Sequence, residues 1–240
     1  MRLNRYLARS GVASRRHSDD LIRSGTVSVN GTLVCEPGRQ VEVGSDRVEC
    51  RGKPVELPAD LEYIALNKPI SYLVTRRDSR DRHTVYELVE GRHPGTIAVG
   101  RLDRDTTGLL LLTNDGELAY RLSHPRFKVK KHYRVLVQGR VNEPTLDQLR
   151  RGVELEDGLT APAQVAVVER SAAKTRLEMV IREGRKRQIR RMCATVGHKV
   201  VELERRAVGS LQLGDLPLGS WRHLDEGETV QLRSLAGLLR

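Results

Sequence analysis

A short polar loop that runs directly into an apolar stretch is the part of this sequence best suited to chemistry. The loop, GRLDRDTTG from position 100, precedes four consecutive leucines, Leu109–Leu112. If the leucines form a buried strand, that strand holds the loop rigidly, as a reacting side chain requires. Asp103 and Asp105 alternate with arginines in the loop. Because cationic neighbours keep an aspartate ionised, either carboxylate could act as a nucleophile, although a structural salt bridge would give the same pattern.

A cluster of basic residues follows later in the chain. Six of the ten residues from Arg182 to Arg191 are lysine or arginine. Because a guanidinium stays protonated at any ordinary pH, an arginine here could hold a carboxylate in its charged form or bind a phosphate. The same run also fits the basic start of an ordinary helix, so the residues alone leave both interpretations open.

The elements that must position these groups are predicted by hydrophobic periodicity. Alternation over Tyr133–Gln138 and over Leu177–Arg182 predicts two half-buried strands. Helices are predicted from Pro144 to near Gly152 and over Ile189–Val196. Because strands and helices come in mixed order, we predict an α+β fold on a mixed, largely antiparallel sheet.

The first 50 residues have a different pattern, which predicts helix, helix and hairpin. Residues from Leu3 to Val12 fit a short helix, and Ser14 can cap a second helix that ends at Gly25. Asn30-Gly31 supplies the residue types of a type I′ turn between two short strands. Six arginines and only two acidic residues lie between positions 1 and 25. This excess fits either a solvated helix face or a nucleic-acid contact.

These patterns predict a chain in three pieces. Residues 1–50 are expected to form a small domain. Residues 51–60, RGKPVELPAD, contain two prolines and mixed charge, which is typical of a linker. Residues 61–240 are expected to form a larger domain that contains the loop and the basic cluster described above.

The composition indicates an anionic partner and excludes several classes of protein. The chain has 42 Lys+Arg against 31 Asp+Glu, a formal net charge of +11 and a pI of about 10.0. Such a balance suits nucleic acid or an acidic membrane surface. Aromatic residues make up only 3%, which argues against a broad stacking platform for single strands. No signal segment, membrane span, CxxC or histidine metal spacing is present, so we expect a cytosolic, reduced protein without a metal site.

Several motifs, in order along almost the whole chain, resemble those of RNA pseudouridine synthases. The loop and its leucines are similar to the family signature GRLDxxTxGLLLLT. Asn67–Pro69 is similar to the KP motif, Lys131–Val135 to the KxYxV strand, and Gly184–Met192 to the GRxRQIRRM helix. The N-terminal pattern resembles the αL RNA-binding motif, a domain named for a ribosomal small-subunit protein. The sequence departs from the family at Ile70-Ser71, since a glycine usually stands two residues after KP.

The resemblance implies an enzyme that flips a uridine out of its stack and reattaches the uracil to the ribose through carbon. Asp103 corresponds to the nucleophile, Tyr133 to the tyrosine that stacks on the uracil, and Arg190 to the basic residue that pairs with the nucleophile. Leu203 corresponds to a residue that lines the uracil pocket. Arg101 corresponds to an arginine that fills the space left by the flipped base. The isomerisation needs no cofactor, and no cofactor motif is present.

Basic residues in both predicted domains are expected to contact RNA phosphate. These residues are Arg101, Arg5, Arg15, Arg16, Arg23, Lys130, Lys131, Arg185, Arg187 and Arg191. A further basic run, Arg76, Arg77, Arg80 and Arg82, suits either phosphate contact or a solvated loop. If these residues bind phosphate, affinity should fall steeply with salt.

The branch with an N-terminal αL motif modifies ribosomal RNA, so we expect this chain to act on ribosomal RNA or on a ribosome-assembly intermediate. We also expect a monomer. Two alternatives remain at this level. The first is a non-catalytic RNA-binding or ribosome-assembly factor on a synthase fold, against which the intact set of Asp103, Tyr133 and Arg190 argues. The second is a nucleic-acid hydrolase that uses Asp103 and Asp105 around a divalent metal, and the lack of further clustered carboxylates counts against it.

Overall fold

The structure, a computed structural model, describes residues 1–76, 78–89, 93 and 95–239. Its contacts divide the chain into two compact units. Unit 1 comprises Met1–Tyr63, Gly91–Ile97 and Leu112–Gly116, and unit 2 comprises Ile64–Glu90, Ala98–Leu111 and Glu117–Arg240.

Helices and strands follow one another in mixed order along the described residues. The helices are α1 (Leu3–Arg9), α2 (Arg15–Arg23), α3 (Gly116–Ser123), α4 (Glu143–Arg151), α5 (Gln188–Thr195) and α6 (Glu226–Leu235). The first strands are β1 (Val27–Val29), β2 (Thr32–Leu33), β3 (Val48–Cys50), β4 (Lys53–Pro54), β5 (Tyr63–Lys68), β6 (Ile97–Ala98) and β7 (Thr107–Thr113). The later strands are β8 (Lys131–Gln138), β9 (Glu154–Leu155), β10 (Gly158–Leu159), β11 (Gln164–Arg170), β12 (Lys174–Ile181), β13 (Val200–Val208), β14 (Leu211–Gln212) and β15 (Trp221–His223).

Unit 1 has the predicted helix–helix–hairpin pattern. The Ser14 side chain accepts a hydrogen bond from the His17 amide at 3.3 Å and so caps α2. Asn30 and Gly31 have φ values of 53° and 79°, as a type I′ turn between β1 and β2 requires. The first helix is shorter than predicted: α1 ends at Arg9, and Val12 lies beyond it, exposed. The left-handed backbone of Gly11 accounts for this early end.

Part of the stretch predicted as a linker packs within unit 1. Strand β4 pairs with β3, and the sheet has the order β2-β1-β3-β4. The Tyr6 hydroxyl donates to the Val55 carbonyl at 3.0 Å, and Val55 is buried in the core of the unit. The division of the chain into domains at residues 51–60 stays a prediction.

A mixed sheet forms the centre of unit 2, and the α+β prediction is confirmed. The strand order is β11-β12-β8-β13-β7-β5-β15, with β14 beside β13 and β6 beside β7. Strand β8 pairs antiparallel with both β12 and β13, whereas β13 runs parallel to β7. Helix α4 begins at the Asn142 cap and ends at Gly152, as predicted. Leu109–Leu112 are fully buried in β7, so the predicted buried strand is confirmed.

Strands β7 and β13 approach each other unusually closely at Gly108. Gly108 has a φ of 102°, and a Cβ atom there would lie 2.3 Å from the Arg205 carbonyl oxygen. The Arg205 side chain is only 2% exposed, and its Nε donates to the Leu109 carbonyl at 2.7 Å. Only glycine tolerates both the backbone conformation and this approach, so Gly108 fixes the start of β7 against β13.

Candidate active site

The polar loop that carries Asp103 lies immediately before β7 in unit 2. Leu102, next to Asp103, is buried, whereas Asp103 itself is half-buried. The Thr106 amide donates to the Asp103 carbonyl at 3.1 Å, which closes a turn within the loop. The backbone of Asp103 therefore lies between a buried neighbour and a hydrogen-bonded turn.

A fully buried lysine, Lys68, contacts the backbone of this loop. The sequence analysis assigned it no role. Lys68 Nζ donates to the carbonyls of Thr106 and Pro69, both at 2.9 Å. Burial lowers the pKa of Lys68 to about 8, and the carboxylates of Asp105 and Asp103 act against that shift. A lysine at the end of the apolar run YIALN was the signal in the sequence, because a charge in a buried strand needs partners.

The residue that departs from the KP motif also contacts the loop. The Ser71 amide donates to the Arg104 carbonyl at 2.8 Å. Ser71 has a φ of 73°, in the left-handed region that favours glycine. The usual glycine of the family therefore has a backbone reason, and this chain adopts the same conformation with a serine.

Arg190 lies at the first turn of α5, but it pairs with a different aspartate from the one implied by the resemblance. Its Nε lies 3.3 Å from the Asp105 carboxylate, and its Nη2 donates to the Asp105 carbonyl at 2.7 Å. In the part of the chain that the structure describes, no ion pair joins Arg190 to Asp103. Arg187, the N-cap residue of α5 with a φ of 50°, also contacts the Asp105 carboxylate, so both guanidinium groups meet Asp105. Asp103 remains within electrostatic reach, because its carboxylate stabilises the charged form of Arg190 against the burial that lowers its pKa.

The other arginines of the basic cluster also have protein partners. Arg187 donates to the Asp105 carboxylate through both Nη atoms, at 3.0 and 2.8 Å. Arg191 makes the same kind of two-bond contact with Asp157, at 2.8 and 3.1 Å. Arg185 donates to the carbonyls of residues 157, 158 and 159. Arg185 and Arg191 thus fasten the turn between β9 and β10, and their assignment to RNA stays a prediction.

Tyr133, Leu203 and Arg205 lie on adjacent positions of two paired strands. Tyr133 is opposite Arg205 and Leu203 is opposite Val135 in the β8–β13 register, so the four side chains share one face of the sheet. Tyr133 and Leu203 are buried. The buried Arg205 Nη2 has no hydrogen-bond partner among the described residues. The sequence analysis gave Arg205 no role, although an arginine at an inward position of the alternating strand LERRAV was a signal.

The remaining candidate RNA contacts are mostly exposed. In unit 1, Arg5, Arg15, Arg16 and Arg23 are exposed on α1 and α2. In unit 2, Arg101 and Lys130 are exposed, whereas Lys131 is half-buried; its burial, reinforced by the charge of Arg205, lowers its pKa to about 8. In the further basic run, Arg82 pairs with Asp78 at 2.6 Å, and Arg77 lies outside the described residues.

Membrane-spanning helices and metal-ligand clusters are both absent from the residues that the structure describes. No helix among them is long and apolar enough to cross a membrane. No group of three histidine, cysteine or acidic side chains among them could hold a metal ion.

The site has the chemistry of a carboxylate held in a cationic, partly buried environment. Lys68 and Arg190 place positive charge near the Asp103 carboxylate. Asp105 is already engaged by two guanidinium groups, which leaves Asp103 as the better candidate for attack.

Comparison with known proteins gives consistent matches over the whole chain. The RNA pseudouridylate synthase family model matches residues 62–195, and the S4 domain model matches residues 1–48. An uncharacterised RNA pseudouridine synthase of Aquifex aeolicus is 45% identical over 239 residues, which cover 99% of this chain and 96% of the relative. The ribosomal large subunit pseudouridine synthase B of Bacillus subtilis is 40% identical, with 98% and 96% covered. A crystal structure of a pseudouridylate synthase superposes with a TM-score of 0.70 at 30% identity, covering 97% of this chain and 99% of the other.

Proposed function

Because this chain belongs to the RNA pseudouridylate synthase family, we propose that it isomerises a specific uridine of ribosomal RNA to pseudouridine. The observation that carries the proposal is the position of Asp103 in the loop immediately before β7, where Lys68 and Arg190 supply positive charge. The Bacillus subtilis relative, named for the ribosomal large subunit, supports ribosomal RNA as the substrate class.

In the proposed reaction, Asp103 attacks either the sugar or the base of the flipped uridine and helps to detach uracil from its ribose. The base rotates and bonds to the ribose through C5, and the bond to Asp103 breaks. C5 loses a proton and N1 gains one, so the same atoms are present before and after, and no electrons are gained or lost. Tyr133 offers a flat ring on which the uracil can stack, and Leu203 lines the same pocket. Arg190 supplies a permanent positive charge near the Asp103 carboxylate.

RNA is proposed to contact both parts of the chain. Residues 1–50, with Arg5, Arg15, Arg16 and Arg23 exposed, bind RNA as an S4 domain, and residues 61–240 catalyse the reaction, with residues 51–60 between them. Arg101, Lys130 and Lys131 are the contacts proposed near the pocket, whereas Arg187 is engaged by Asp105 and its contact with RNA stays a prediction. The enzyme is proposed to act as a cytoplasmic monomer on ribosomal RNA or on an assembly intermediate.

Arg101 is proposed to occupy the space left by the flipped uridine. The Arg101→Ala variant should lose activity on a folded RNA hairpin by about tenfold or more, because the extruded base then returns to its stack more readily. On an unstructured oligonucleotide that contains the same uridine, the loss should be several times smaller. Initial rates on the two substrates give the comparison, and equal losses on both would contradict this role.

The function is tested by mapping pseudouridine in ribosomal RNA from cells that lack this protein. One position should lose its modification and regain it when the wild-type gene is restored, but not when the Asp103→Asn gene is restored. An unchanged modification map would contradict the proposal. An unchanged modification map together with altered ribosomal particles would favour the assembly-factor alternative.

A further inference from the structure

Asp105 is the most heavily engaged carboxylate of the candidate site. It accepts two hydrogen bonds from Arg187, at 3.0 and 2.8 Å, and lies 3.3 Å from Arg190 Nε. The hydrogen bonds from Arg187 hold the pKa of Asp105 below its usual range. Two-bond arginine–carboxylate contacts fix geometry as well as charge. Asp105 thus connects the loop of Asp103 to the start of α5.

The same residue also restrains Arg190. The Arg190 side chain is only 12% exposed, and its Nη2 donates to the Asp105 carbonyl at 2.7 Å. Its Nη1 donates to the Val200 carbonyl at 3.4 Å, a long contact. The position of this guanidinium therefore depends mainly on Asp105, which contacts it through both backbone and side chain.

The Asp105 carboxylate offsets the positive charges of Arg187 and Arg190. Arg187 pairs with the Asp105 carboxylate, and the charge of Arg190 acts on Asp105 and, more weakly, on Asp103. If the Asp105 carboxylate were removed, Arg187 would lose its partner, and Arg190 would keep only its bonds to carbonyl groups. A shift of about 1 Å in such a group can cost on the order of 100-fold in rate.

We propose that Asp105 is a positioning residue that holds Arg190 beside Asp103. This inference rests on the proposed function, in which Asp103 is the reacting carboxylate. Asp105 acts through Arg190 and through the shape of the loop, and it does not itself touch the uridine. Its loss should therefore lower kcat and leave the affinity for RNA largely unchanged.

The chain offers a matched control on the same helix. Arg191 holds Asp157 by two hydrogen bonds, at 2.8 and 3.1 Å, and the two aspartate side chains are similarly exposed, 47% for Asp105 and 49% for Asp157. The Asp157→Asn variant removes an equivalent ion pair at the turn between β9 and β10. An effect that Asp105→Asn and Asp157→Asn share is a general effect of losing an aspartate–arginine ion pair.

The experiment compares Asp105→Asn, Asp105→Glu and Asp157→Asn in the full chain, on a ribosomal RNA fragment that contains the target uridine. We expect kcat of Asp105→Asn to fall about 10- to 100-fold, with the Kd for RNA and the unfolding temperature nearly unchanged. The Asp105→Glu variant keeps the charge and should recover part of the rate. The Asp157→Asn variant should stay within about twofold of the wild type.

The outcomes separate this inference from the proposed function. If Asp105→Asn keeps the wild-type kcat, or if Asp157→Asn loses as much activity, Asp105 has no positioning role. If Asp105→Asn fails to fold, Asp105→Glu decides the matter, since a rate below wild type with unchanged Kd supports positioning and an unchanged rate contradicts it. If the wild-type protein forms no pseudouridine, the proposed function fails instead. If Asp103→Asn retains activity, the role of Asp103 on which this inference rests fails.

Discussion

The Asp103→Asn variant should form no detectable pseudouridine, with a loss of at least about 10⁴-fold, and should still bind RNA with nearly the wild-type affinity. Asparagine has the same shape as aspartate but cannot act as the carboxylate nucleophile. The half-buried side chain makes no hydrogen bond or ion pair with another side chain among the described residues, so the substitution removes little that holds the loop. The loss should therefore be one of chemistry and not of folding.

Single-turnover formation of pseudouridine and the Kd for the same RNA are the two measurements required. Asp215→Asn is a suitable control, because Asp215 is an exposed aspartate elsewhere in unit 2 and its substitution should change neither quantity. Activity of Asp103→Asn within about tenfold of the wild type would remove Asp103 from its proposed role. A large loss of RNA affinity together with activity would show that the residue binds substrate instead of attacking it.

The second large effect is expected on stability. Replacing Gly108 with alanine places a Cβ atom 2.3 Å from the Arg205 carbonyl oxygen and 2.6 Å from the Arg205 amide nitrogen. Backbone atoms of a central strand cannot move aside cheaply, and a φ of 102° is itself strained for alanine. We expect the free energy of unfolding to fall by about 3 kcal/mol or more, and the unfolding temperature by roughly 10 °C.

Thermal and urea unfolding of Gly108→Ala measure this effect. Gly116 provides the matched control, because it begins α3, has an ordinary φ, and an added Cβ atom would meet no heavy atom within 4 Å. Gly116→Ala should change the stability by less than about 0.5 kcal/mol. A Gly108→Ala protein as stable as the wild type would mean that β7 and β13 can separate without cost.

Local patterns predicted most elements of the fold. The Ser14 cap, the Asn30-Gly31 turn and the buried run Leu109–Leu112 were each predicted from a few neighbouring residues and were confirmed. The order of strands in unit 2 could not be predicted in this way. The parallel pairing of β13 with β7 depends on residues far apart in sequence, and the alternation of a single strand says nothing about its neighbour.

The sequence named some residues of the candidate site, gave no role to Lys68 or Arg205, and did not predict the contacts within the site. Motif resemblance gave Asp103, Tyr133 and Arg190, yet the implied pairing of Arg190 with Asp103 is not the one formed, since Arg190 contacts Asp105. Two carboxylates two residues apart give the same sequence pattern whichever one the arginine meets. The position of the start of α5 in unit 2 decides which of the two carboxylates the arginine contacts.

The pairing of β7 with β13 also determines the stage of protein synthesis at which the sheet of unit 2 can be completed. Arg205 and Leu109, which meet across these strands, are 96 positions apart. At about 5–20 residues per second, a ribosome needs on the order of 5–20 s to make the chain between them. During that interval the four leucines of β7 lack β13, which exposes them to aggregation or to chaperones. The loop of Asp103 can acquire its final support only when translation is nearly finished.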